Sequence, residues 1–76
     1  MEHVVLSNKM KREAYRLLAQ INHADSIVVA LNAGARAEGF VLGMETVGGL
    51  RSGDAENLYV IFEAALKERL KSLGPA

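Results

Sequence analysis

The chain has no cysteine, no tryptophan, a single proline and only two histidines among its 76 residues. Without cysteine there are no disulfides and no thiolate metal sites. His3 and His23 lie far apart in sequence, and no His-x3-His or carboxylate–His spacing offers the ligand set of a structural or catalytic zinc site. A chain this short is one domain and buries roughly 60–65% of the surface that its unfolded form exposes. Small domains of this kind rely on staples, a metal, a partner subunit or close helix packing. With staples and metals removed, helix packing and oligomerisation are left, and no cofactor is implied.

Net charge of one sign is missing as well. Nine basic residues balance nine acidic ones. That argues against a dedicated nucleic-acid binder, which carries a basic excess, and against electrostatic attachment to a membrane. The distribution is uneven, because Lys9, Lys11, Arg12 and Arg16 face only Glu2 and Glu13 in the first third. Long apolar runs are also absent. The longest, Ile27–Leu31, is far short of the ~20 residues that span a bilayer. The start, Met-Glu-His-Val-Val-Leu, has no basic region ahead of an apolar core. The expectation is a cytoplasmic protein with no membrane partner.

What is present is apolar bulk of a particular kind. Hydrophobic residues make up 50% of the chain but aromatics only 5%, so the chain is too apolar for disorder. Ala, Leu, Val and Gly supply most of that bulk, which suits closely packed helices. The reading is all-α in one domain, residues 1–76, with a flexible lead at 1–6 and helices at roughly 8–23, 26–47 and 53–73.

The first helix follows Ser7, a good N-cap residue. Its apolar positions Met10, Ala14, Leu17, Leu18 and Ile21 recur three and four apart. Asp25 or Ser26 would cap a second helix. No glycine or proline enforces a break there, so one long rod is the alternative. In the middle segment Ile27-Val28-Val29 is β-branched, and a hairpin with Phe40-Val41-Leu42 over 27–47 is the α+β alternative. Neither run alternates apolar and polar residues, and no tight hairpin dipeptide lies between them. A helix is therefore preferred, with Leu31, Ala35, Glu38 and Leu42 on one face. Gly48-Gly49 stops that helix, and Ser52 caps the next. Leu58, Ile61, Phe62, Ala65, Leu66, Leu70 and Leu73 form the apolar stripe of the third, which Gly74-Pro75 ends.

No catalytic arrangement emerges. A nucleophile needs a base within reach and a group to orient that base, and Ser7, Ser26, Ser52 and Thr46 are all better explained as local helix residues. The glycines do not form a phosphate loop, since no Lys-Ser or Lys-Thr pair follows them. Ala35, Gly39 and Gly43, four apart, would line a groove that lets another helix approach closely. Either another helix of the same chain or a second copy would fill it. The middle helix is apolar round most of its circumference and has to be covered on several sides, so a homodimer is expected. Exposed Arg12, Tyr15 and Arg16 on the first helix are the candidate contacts for another protein.

The stretch Ala37-Glu38-Gly39-Phe40-Val41-Leu42-Gly43-Met44-Glu45-Thr46-Val47-Gly48-Gly49-Leu50, followed by Asp54-Ala55-Glu56-Asn57-Leu58-Tyr59, resembles small helical proteins of phages, prophages and mobile elements of proteobacteria. Many such proteins bind a host regulator, an enzyme or a defence complex. The resemblance implies a non-catalytic accessory protein that acts by steric occlusion, and it assigns no site residue. A small DNA- or RNA-associated protein using the basic first helix is the second reading. A self-assembling structural protein is the third.

Overall fold

In a computed structural model, residues 4 and 6–74 are described. They form three helices in a bundle with extents of 41 × 19 × 17 Å: α1 (Asn8–Asn22), α2 (Ile27–Thr46) and α3 (Ser52–Leu73). The all-α reading holds. The α+β alternative does not, since 27–46 is one uninterrupted helix. The single-rod alternative fails too, because the chain turns at residues 23–26.

Each boundary has a local cause. Ser7 is extended, and its Oγ accepts from the Met10 N–H at 3.2 Å. Ser26 does the same for α2, accepting from the Val29 N–H at 3.1 Å. These hydroxyls satisfy donors that the helix geometry leaves without partners. The turn between α1 and α2 needs no glycine. His23 ends α1, Ala24 is buried, and the extended backbone of Ser26 sets the new direction. Arg69 of α3 donates from Nε to the Ala24 carbonyl at 2.7 Å, which ties the C-terminal end of α3 to that corner.

The end of α2 is a Schellman motif. Gly48 has φ 75, a left-handed conformation that costs glycine least. The Gly48 N–H donates to the Glu45 carbonyl and the Gly49 N–H to the Met44 carbonyl, satisfying two of the orphaned acceptors. The expected cap of α3 is corrected by one residue. Arg51, not Ser52, is the N-cap, and no side chain closes it. Instead the Arg51 Nε donates to Asp54 Oδ2 at 2.9 Å. Asp54 is buried in the first turn, where the helix dipole favours an anion.

The core is built from Ala14, Leu17 and Ile21 of α1, Ala33, Ala37 and Val41 of α2, Leu50, and Ala55, Leu58 and Phe62 of α3. The contribution of α2 is mostly alanine, so α1 and α3 approach its backbone closely. Gly34 serves the same approach, since a Cβ there would lie 2.7 Å from Leu66 Cδ2. The expected flexible lead falls mostly on residues 1–3 and 5, outside the described residues. Within it, Val4 is only 4% exposed and joins the core.

Candidate interaction surfaces

Two outward faces result from this packing, one on α1 and one on α2. On α1 the residues Ala14, Leu17 and Ile21 turn inward. Arg12, Tyr15 and Arg16 are thereby placed together on the outer side, all exposed, with Tyr15 at 50%. The structure thus gathers the expected contact residues on one helix face. Arg16 is not a free cation. Its Nε donates to Glu13 Oε2 at 3.0 Å, and its NH2 group pairs with the other carboxylate oxygen. These hydrogen bonds hold the Glu13 carboxyl below its ordinary range and push the Arg16 guanidinium up. The basic cluster therefore carries an internal counter-charge. His23 is exposed at the end of α1, and His3 lies outside the described residues.

The outward side of α2 has a different character. Successive residues turn about 100°, so burying Ala30, Ala33, Ala37 and Val41 turns Val28, Leu31, Asn32, Ala35, Gly39, Leu42, Gly43 and Thr46 away from the bundle. All eight are exposed. Val28 is 67%, Leu31 49% and Leu42 56% exposed. The nearest charges, Arg36 and Glu38, stand on the flanks of this face and not on it. The expected groove of Ala35, Gly39 and Gly43 is on this side. No helix of the chain fills it, since a Cβ at Gly39 or Gly43 would meet nothing within 4 Å. Of the two occupants considered, the intramolecular one is therefore corrected. α1 and α3 pack against the alanine stripe on the opposite side of α2.

Beside this face, α2 and α3 leave a groove of about 440 Å³. Leu31, Gly34 and Ala35 form one wall and Tyr59, Phe62 and Leu66 the other, with Glu38 and Glu63 also lining it. Partial burial, helped by the negative charges of Glu45 and Glu38, pushes the Tyr59 phenol up from its ordinary value. No uninterrupted apolar run in the sequence shows how apolar α2 is as a whole. Averaged over 18 residues its mean hydropathy reaches 1.3, and it is long and apolar enough to cross a membrane, with 22% of that window buried in the bundle. Single polar residues interrupt the run without forming a polar face.

Three of the four hydroxyls considered as nucleophiles make local hydrogen bonds, and Ser52 is exposed in the first turn of α3. Ser7 and Ser26 close helices, and the Thr46 Oγ1 donates to the Leu42 carbonyl at 2.7 Å. Among the described residues no group of three or more metal-ligating side chains comes together. No family model, no curated protein and no solved structure matches this chain.

Proposed function

We propose that this chain is a non-catalytic protein-binding module that acts sterically, by laying the outward face of α2 against another protein surface. The observation that carries the reading is the state of α2. A helix apolar all round belongs in an interior, yet only one side of this one is covered by its own bundle. Scattered exposed apolar residues are ordinary, whereas a contiguous exposed apolar patch marks an interaction site. Val28, Leu31, Ala35 and Leu42 form such a patch. A protein suits it better than a bilayer does. Arg36 and Glu38 sit near the middle of the helix, and each charge at the centre of a membrane costs about 2.5–3.5 kcal/mol on insertion scales.

Steric action needs no bond-making residue, and it fits the local hydrogen bonds of Ser7, Ser26 and Thr46. The Arg12, Tyr15 and Arg16 face of α1 is the candidate second contact, through an aromatic side chain with basic neighbours. It is left accessible when α2 is covered, because it lies on a different helix.

The test is affinity capture by the purified chain, with nuclease present throughout, comparing wild type with Leu31→Glu/Leu42→Glu. Both positions are exposed, so circular dichroism should show an unchanged fold. Protein recovery should be lost with the variant. Equal recovery by both would overturn the reading, and recovery that depends on nucleic acid would transfer the function to the basic helix α1.

A further inference from the structure

The face of α2 carries enough pattern to identify what covers it. Its exposed positions run Val28, Asn32, Ala35, Gly39, Leu42, Thr46, spaced alternately four and three apart. That alternation keeps one stripe of a helix facing a partner helix along its length. The apolar side chains Val28 and Leu42 lie towards its two ends, and Leu31 borders it.

The charges decide the direction. Arg36 and Glu38 are two positions apart, hence about 200° apart round the helix. They stand on opposite flanks of the stripe, at nearly the same height. Among the described residues the ion pairs are Arg16–Glu13 and Arg51–Asp54, so Arg36 and Glu38, both exposed, have no intrachain ion-pair partner, and Glu38 also lines the edge of the α2–α3 groove. When two copies of α2 pair about a two-fold axis parallel to the helices, the left flank of one lies along the right flank of the other. Arg36 then stands beside the partner copy's Glu38, and the contact occurs twice, as an isologous interface requires. In an antiparallel pair, like flanks meet, so Arg36 approaches Arg36 and Glu38 approaches Glu38.

We propose that the occupant of this face is a second copy of the chain, α2 against α2 and parallel, with Arg36 of each copy beside Glu38 of the other. The proposal rests on the protein-binding reading above and names the partner. Asn32 then faces its own copy, and a buried asparagine at such a position sets register in two-stranded parallel coils. A basic peptide would satisfy Glu38 and leave Arg36 opposed. A bilayer would leave both charges without partners.

The chain has no cysteine, so single introduced cysteines report the pairing without background. On oxidation, Val28→Cys alone should give a covalent dimer, and so should Leu42→Cys alone. An equal mixture of Val28→Cys and Thr46→Cys should give almost no mixed product. A predominantly mixed product would overturn the parallel direction. By sedimentation equilibrium, Arg36→Glu and Glu38→Arg should each weaken the dimer roughly tenfold, and the double reversal should restore it to within about threefold. A double reversal no tighter than the single variants would overturn the charge pairing. A wild-type chain that stays monomeric at about 1 mM would overturn self-association altogether. In that event, capture of another protein that Leu31→Glu/Leu42→Glu abolishes would leave the protein-binding reading standing. Capture unaffected by it would remove both.

Discussion

α1 and α2 are neighbouring helices of one bundle, and each gives one side to the same core, but their other sides are made differently. Outside, α1 carries Lys9, Arg12 and Arg16, with Tyr15 as its large exposed apolar residue. Water solvates that face, and the Glu13–Arg16 pair neutralises part of its charge. Outside, α2 carries Ile27, Val28, Val29, Leu31 and Leu42, with its charges pushed to the flanks. Inside, the order is reversed in size: α1 contributes the large side chains Leu17 and Ile21, and α2 contributes mainly alanines. Phe40, Val41 and Met44 of α2 pack into or against the core, but Val28, Leu31 and Leu42 point away from it. A helix designed only for this bundle would have those three the other way round. The difference separates an exposed face that is mainly charged from an exposed face that is mainly apolar.

The contrast can be broken most forcefully in the core. Ile21→Ala in α1 should cost about 2–5 kcal/mol in urea denaturation, since Ile21 has no exposure and leaves a cavity. Leu31→Ala on α2, measured at protein concentrations low enough for the monomer, should stay within about 0.5 kcal/mol of wild type. Comparable losses at the two sites would mean that α2's outward face is covered within the chain.

Next in size is a pair of substitutions on α2 itself. Ala37→Leu should destabilise by about 1–3 kcal/mol, because Ala37 is fully buried between close-packed helices and has no room for the extra atoms. Ala35→Leu should fold normally and impair association instead. The N-caps give a smaller effect. Ser26→Ala should cost about 1 kcal/mol through loss of its bond to the Val29 N–H, whereas Ser52→Ala should be nearly silent, as Ser52 makes no cap bond.

The smallest effect belongs to α1's outer face. The Glu13 carboxyl is held below its ordinary range by Arg16, so its contribution is present above the unfolded carboxylate value. It disappears as pH falls through the lower folded value. Thermal unfolding of wild type and Glu13→Gln should differ slightly at neutral pH and converge in acid. A difference that grows in acid would reverse the sign and contradict the pairing.

Much of this architecture is legible in the residues. The three-and-four spacing of α1, the Ser7 and Ser26 caps and the Gly48-Gly49 stop each follow from local chemistry, and local chemistry suffices to set them. The break at 23–26 is less legible. Ser26 sets it locally, but it is also tied by Arg69, 45 positions away, closing on the Ala24 carbonyl, and no local signal reports that contact. The start of α3 is less legible too, because its N-cap is Arg51 and no side chain closes it. Arg12, Tyr15 and Arg16 could be placed on one face from their spacing alone. Which side of α2 would be left open could not. Its apolar residues point in every direction, and only the docking of α1 and α3 on Ala33 and Ala37 reveals that Val28, Leu31 and Leu42 face outward.

The most direct measurement is sedimentation of wild type and Leu31→Glu/Leu42→Glu over a range of concentrations. The account predicts a concentration-dependent dimer for wild type and a folded monomer throughout for the variant. A wild type that sediments as a monomer at every concentration, indistinguishable from the variant, would contradict it.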